Sequence, residues 1–120
     1  MATLIQKLTL TSSNSSSNNL NLSVSDTLIT TIPHQGLTRV AITTADNQEI
    51  LDSDLSGDFY VYVKNLDATN FIILQTTASQ VWGKLSAGET VFIPVHTGIG
   101  LELRADTATC NVEYAYWKKG

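Results

Sequence analysis

Cysteine is nearly absent: Cys110 is the single one in 120 residues, so no intrachain disulfide can form. Charge is scarce too. Charged residues make up 15% of the chain, against about 25% in an average soluble protein. Seven are Lys or Arg and eleven are Asp or Glu, a net charge of -4. The basic patch of a nucleic-acid binder is missing. The one adjacent basic pair, Lys118 and Lys119, reads as a frayed terminus. No apolar run is long enough to span a bilayer as a helix. The N-terminal residues lack the basic-then-apolar layout of a signal peptide. These absences predict a protein made in a cytoplasm, with no nucleic-acid or membrane partner.

Reactive groupings are also missing. His34 and His96 are the only histidines, and with Cys110 alone they fall short of a zinc set. No Gly-x-Ser-x-Gly elbow occurs. Asp52, Asp54 and Asp58 crowd one loop, but without the spacing or terminal Glu of a calcium loop, so they read as a solvated acidic turn. Cys110 alternates with Val112, Tyr114 and Tyr116 and reads as a small buried hydrophobe. The expectation is no catalytic residue, no metal, no cofactor and no enzyme activity.

Short β-patterned runs separated by turn signals are what the chain does contain. Thr3 to Thr11 alternates, with Leu4, Leu8 and Leu10 on one face. Leu20, Leu22 and Val24 alternate with Asn21, Ser23 and Ser25. Between them, Ser12 to Asn19 has no apolar residue and cannot bury surface to offset its ordering entropy. A turn at Ser25-Asp26, a run from Leu28 to Pro33, a turn at Gln35-Gly36 and a run from Leu37 to Thr44 follow. Thr44 to Gly57 reads as a long polar connection with Ile50-Leu51 as an apolar island. Beyond it come strand patterns at Phe59 to Lys64, Phe71 to Leu74, Val81 to Leu85, Val91 to Val95, Leu101 to Arg104 and Cys110 to Trp117. Pro33 and Pro94 cannot donate to a sheet ladder and mark strand ends, edges or bulges. No helical pattern and no repeat is visible. The prediction is one all-β domain over residues 1–120, a single antiparallel β-sandwich, jelly-roll-like, with about eight strands.

Three stretches carry a more specific signal: Val63-Lys-Asn-Leu-Asp-Ala-Thr-Asn-Phe71, Gly83-Lys-Leu-Ser-Ala-Gly-Glu89 and Leu103-Arg-Ala-Asp-Thr-Ala-Thr-Cys-Asn-Val-Glu-Tyr114. Asn65, Asp67 and Asn70 suit a tight turn held by side-chain-to-backbone hydrogen bonds. Gly88 suits a turn that needs positive φ. In order and spacing these stretches resemble small β-sandwich virion proteins of tailed bacteriophages, including cyanophages. The resemblance covers the last half to two-thirds of the chain. It implies a structural role in the virion, as a capsid decoration (cement) protein on the major capsid protein, or as a neck or tail ring component. It also implies a homo-oligomer, with a trimer matching three-fold capsid positions. Residues 1–19 are then the candidate partner-binding segment, with Ser12, Ser13, Asn14, Ser15, Ser16, Ser17, Asn18 and Asn19 as the contact loop. A carbohydrate-binding or receptor-binding module is a further reading, in which Trp82, Trp117, Tyr60, Tyr62, Tyr114 and Tyr116 stack on sugars. The competing reading splits these aromatics between core and subunit contacts.

Overall fold

The computed structural model describes residues 2–13, 20–46, 48–96 and 98–120. Among them the chain is all-β, with antiparallel pairing and no helix. Its strands are β1 (Ala2–Ser12), β2 (Leu20–Ile42), β3 (Gln48–Leu51), β4 (Phe59–Asn65), β5 (Ile72–Gln75), β6 (Val81–Leu85), β7 (Thr90–Val95), β8 (Leu101–Ala105) and β9 (Cys110–Lys119). The chain forms two compact units, Met1–Thr31 with Gly120, and Ile32–Lys119.

The first unit is a hairpin. β1 pairs with the opening part of β2 without a break, from Ala2↔Thr30 to Ser12↔Leu20. Paired residues share a face. The register therefore sets Leu4, Leu8 and Leu10 beside Leu28, Val24 and Leu22, and Thr3, Thr9 and Thr11 beside Ile29, Ser23 and Asn21. The Gly120 amide donates to the Ile29 carbonyl at 2.9 Å.

The second unit is a ribbon folded on itself. β5 pairs with β6, β4 with β7, β3 with β8, and β2 lies beside β9, each pair nested outside the last. The pairs fall alternately into two sheets, ordered β2-β9-β4-β7 and β3-β8-β5-β6. Alternation sends one face of each strand inward. Phe59, Val61 and Val63 of β4, Ile72 and Leu74 of β5, Leu101 and Leu103 of β8, and Cys110 and Val112 of β9 form one buried cluster fed by both sheets. Pro94 is tolerated because β7 ends its sheet order, where an N–H is not required on the open side.

The ribbon bends from one sheet to the other just past Asn65, and that side chain holds the corner. It is 0% exposed. Its Nδ2 donates to the carbonyls of Asn70 (2.9 Å) and Leu85 (3.0 Å), and its Oδ1 accepts from the Asp67 amide at 2.9 Å. Its backbone N–H donates to the Glu89 carbonyl and its carbonyl accepts from the Gly88 amide, both at 3.0 Å. Gly88 adopts φ +80° in the returning leg, as its turn requires. Asp67 accepts from the amides of Thr69 (3.0 Å) and Asn70 (2.6 Å). These backbone donors, Asn70 first, hold its carboxyl below the ordinary aspartate value. A second corner is held by Gln48, whose Nε2 donates to the carbonyls of Thr43 (2.8 Å) and Ala45 (2.6 Å) while its Oε1 accepts from the Thr43 amide at 2.8 Å.

Two expected turns are not formed. Ser25-Asp26 lies in mid-strand because β1 supplies Lys7 and Gln6 as ladder partners. Gln35-Gly36 also stays within β2, which runs through Pro33 as one element of 23 residues. The apolar island at Ile50-Leu51 becomes β3 because β8 pairs with it, Leu51 lying opposite Leu101.

Replacing Asn65 with Ala leaves the Leu85 carbonyl buried without its donor and the turn unanchored. The expected loss is about 3 kcal/mol, read as a fall in melting temperature of roughly 10 °C. Asp67 contributes through a lowered pKa, so its support is present above the unfolded aspartate value and is lost as pH falls through the folded one. The stability gap between wild type and Asp67→Asn, measured by denaturant titration, is expected to close below about pH 4.

Candidate functional site

The segment singled out as a partner contact joins β1 to β2. Ser12 closes β1 opposite Leu20, and Ser13 is exposed. Asn14, Ser15, Ser16, Ser17, Asn18 and Asn19 lie outside the described residues. The more informative surface is beside them. Leu8, Leu10, Leu20, Leu22 and Val24 share one face of the hairpin and are each 39–46% exposed. Water-exposed Leu and Val contiguous over two strands form an apolar patch, whereas scattered exposed hydrophobes would need no explanation.

The six Tyr and Trp residues divide three ways. Tyr114 and Tyr116 pack against the core, with Tyr116 edge-on to Phe59 at 5.7 Å. Trp82 is exposed on β6. Tyr60, Tyr62 and Trp117 occupy the outward face of β4 and β9, where Tyr60 lies opposite Trp117 and stacks on Phe92 at 5.9 Å. The Lys119 ammonium sits 5.1 Å from the Tyr60 ring. Along the same face the Tyr62 hydroxyl donates to Glu113 at 3.1 Å, and Arg39 pairs with Glu113 at 3.5 Å. Partial burial first, and then Glu113, raise the Tyr62 hydroxyl pKa. This face combines half-buried rings with the Arg39–Glu113 ion pair.

The chemically suggestive groups are held in ordinary ways. Asp52 caps its own turn, accepting from the Asp54 amide at 2.8 Å. Asp58 pairs with His96 at 3.5 Å in an exposed position. His34 is exposed on β2. The Cys110 thiol is buried, which raises its pKa, and it points at the Ala108 carbonyl, 3.4 Å away. No group of three or more His, Cys, Asp or Glu placed to hold a metal ion occurs among the described residues. None of the described residues form a helix long and apolar enough to cross a membrane.

A buried polar group escaped the sequence reading. Glu102 alternates with Leu101 and Leu103, so the pattern puts it in water, yet it is 1% exposed. Its carboxylate accepts from Gln75 Nε2 at 3.0 Å, and Arg104 nearby on β8 pairs with Asp46 at 3.2 Å. Gln75 lies opposite Glu102 across the β5–β8 ladder. Gln75 also donates to Asp46 at 3.5 Å; these partners are distant in sequence, so local alternation could not reveal the pairing. Beside this group Glu49 has its pKa raised, by burial first and then by Asp52, Glu102 and Asp54.

Glu102→Ala leaves the Gln75 amide only its longer bond to Asp46, at 3.5 Å, and is expected to cost about 2 kcal/mol. Glu102→Gln keeps an acceptor and removes the buried charge, so its change is expected to stay within about 1 kcal/mol. Chemical denaturation of the two variants separates a hydrogen-bond role from a charge role. No protein-family model, no curated protein and no solved structure matches the chain.

Proposed function

We propose that this chain is a structural protein of a tailed-phage virion, a capsid decoration (cement) protein that bridges major capsid subunits, and that it acts without catalysis. The Ile32–Lys119 unit is read as an eight-stranded sandwich of jelly-roll type. The order β2-β9-β4-β7 facing β3-β8-β5-β6 supports this, because rolling up one long antiparallel ribbon produces it. That architecture serves viral capsid proteins and lectins alike, so it does not choose the role.

The observation that carries the role is the hairpin unit. It presents a row of Leu and Val to water while the rest of the chain keeps a closed core. Such a face calls for another protein surface. The three turn-and-strand motifs resembling small phage virion proteins point to the same class. A β-protein bound at many equivalent lattice positions adds interface area across joints that internal DNA pressure strains. Weak individual contacts suffice when they are repeated. A homotrimer at three-fold positions would repeat one contact around the axis.

Reconstruction of the virion tests the reading. Copies on the head on the order of hundreds agree with a repeating lattice partner, and a single ring at the neck or tail replaces the cement role with the ring role. Removal of residues 1–19 is expected to abolish capsid decoration. Full occupancy by the truncated protein would remove this segment from the contact.

A further inference from the structure

The two faces of the hairpin differ in kind. One carries Thr3, Ile5, Lys7, Thr9 and Thr11 across from Ile29, Thr27, Ser25, Ser23 and Asn21, and is polar apart from the two isoleucines at its base. The other carries Leu4, Leu8 and Leu10 across from Leu28, Val24 and Leu22, with Leu20 at the end and the Gln6–Asp26 pair as its polar interruption. Two strands with one apolar face are marginal in water and need a further layer. Whatever covers this face must therefore be present whenever the chain folds.

The chemistry of the face narrows the choice of cover. Interfaces with transient, unlike partners are enriched in Tyr, Trp, Met and Arg. None of these occurs in the paired residues of the hairpin, Ala2–Ser12 and Leu20 to Thr30, whose apolar face carries only aliphatic hydrophobes. Aliphatic composition is that of a domain core cut in half, the character of a permanent contact between like subunits. The area agrees. The five exposed side chains offer on the order of 400 Å², as large as the largest patch of a typical monomer. A standard interface takes about 800 Å² from each partner, about 65% of it apolar in homodimers. The five residues supply most of that apolar share, and half-buried Leu4 and Leu28 extend it.

We propose that Leu8, Leu10, Leu20, Leu22 and Val24 form a self-association surface, covered by the same face of another copy of this chain. A two-fold axis sets two such faces against each other, and a three-fold axis gathers three around a common apolar core. Either closes without leaving a face exposed. The proposal names the surface behind the oligomer suggested above. It rests on that part of the reading alone and needs no capsid.

Sedimentation analysis of the purified full chain tests it. The wild type is expected to be a closed oligomer at micromolar concentration. Leu10→Ser/Leu22→Ser, which alters one cross-strand pair, is expected to sediment as a monomer with its β circular dichroism retained. Thr9→Ala/Ser23→Ala, altering the neighbouring pair on the other face, is expected to stay oligomeric. Cross-linking guards against a variant that fails to fold. Cys110 is buried, so a short bismaleimide is expected to link copies of Leu22→Cys efficiently and copies of Ser23→Cys at least tenfold more slowly. A monomeric wild type overturns the proposal, as does an oligomer that survives the leucine changes or equal linking at both positions. Any of these results leaves the virion reconstruction to judge capsid binding separately.

Discussion

Dividing a long β-ribbon between two antiparallel sheets that feed one core forces both of its legs to leave one sheet and enter the other at the same corner. There the ladder hydrogen bonds stop, and the freed backbone groups lie against the core. Asn65 resolves this conflict. Its amide reaches the outgoing leg at Asn70 and the returning leg at Leu85, and its own peptide groups bind Gly88 and Glu89. An amide is suited to this because it carries donors and an acceptor on one short, uncharged group. A carboxylate would lack the donors, and an aliphatic side chain would leave the carbonyls unpaired in a dry environment. With the corner satisfied, β4 and β5 can each turn one face toward the same cluster, and the nested pairs outside them follow.

The remaining corners repeat the solution with other amides and with backbone. Gln48 ties the bend between β2 and β3. The Ala105 amide, at the end of β8, donates to the Thr43 carbonyl at 2.9 Å. Gln75 and Glu102 extend the same economy to the outward side of the second sheet, where a short segment around Asp46 covers them. In this unit polar groups are buried only in pairs or networks, which avoids the cost of leaving them unmade. The hairpin unit is built on a different plan. Its two strands pair along eleven consecutive residues, while Leu8, Leu10, Leu20, Leu22 and Val24 on one side-chain face are exposed.

How much of this could be read from sequence depended on how local its cause was. β4 and β9 were legible because each alternates strictly, and the Asn65–Asn70 and Ser86–Glu89 turns because their special residues lie within a few positions of one another. The length of β2 was not legible. Ser25-Asp26 and Gln35-Gly36 are good turn pairs in isolation, but strand partners elsewhere in the chain keep them extended. β3 was hidden for the same reason, since its four residues become a strand only beside β8. The aliphatic face of the hairpin was visible as the alternation of Leu4, Leu8 and Leu10 with Leu20, Leu22 and Val24. What the pattern did not convey was that Leu8, Leu10, Leu20, Leu22 and Val24 stay exposed among the described residues.

A chain with 15% charged residues meets any protein contact on particular terms. A protein held by its neighbours has to lose water and side-chain freedom over much of its outside. Lys, Arg and Glu resist this, because each loses up to about 2 kcal/mol of rotamer entropy when fixed. Ser, Thr and Asn lose less and still supply hydrogen bonds. The hairpin concentrates the apolar contact on one face and leaves Thr3, Thr9, Thr11, Asn21, Ser23 and Ser25 on the other. That opposite face also carries Lys7 and the exposed Ile5 and Ile29.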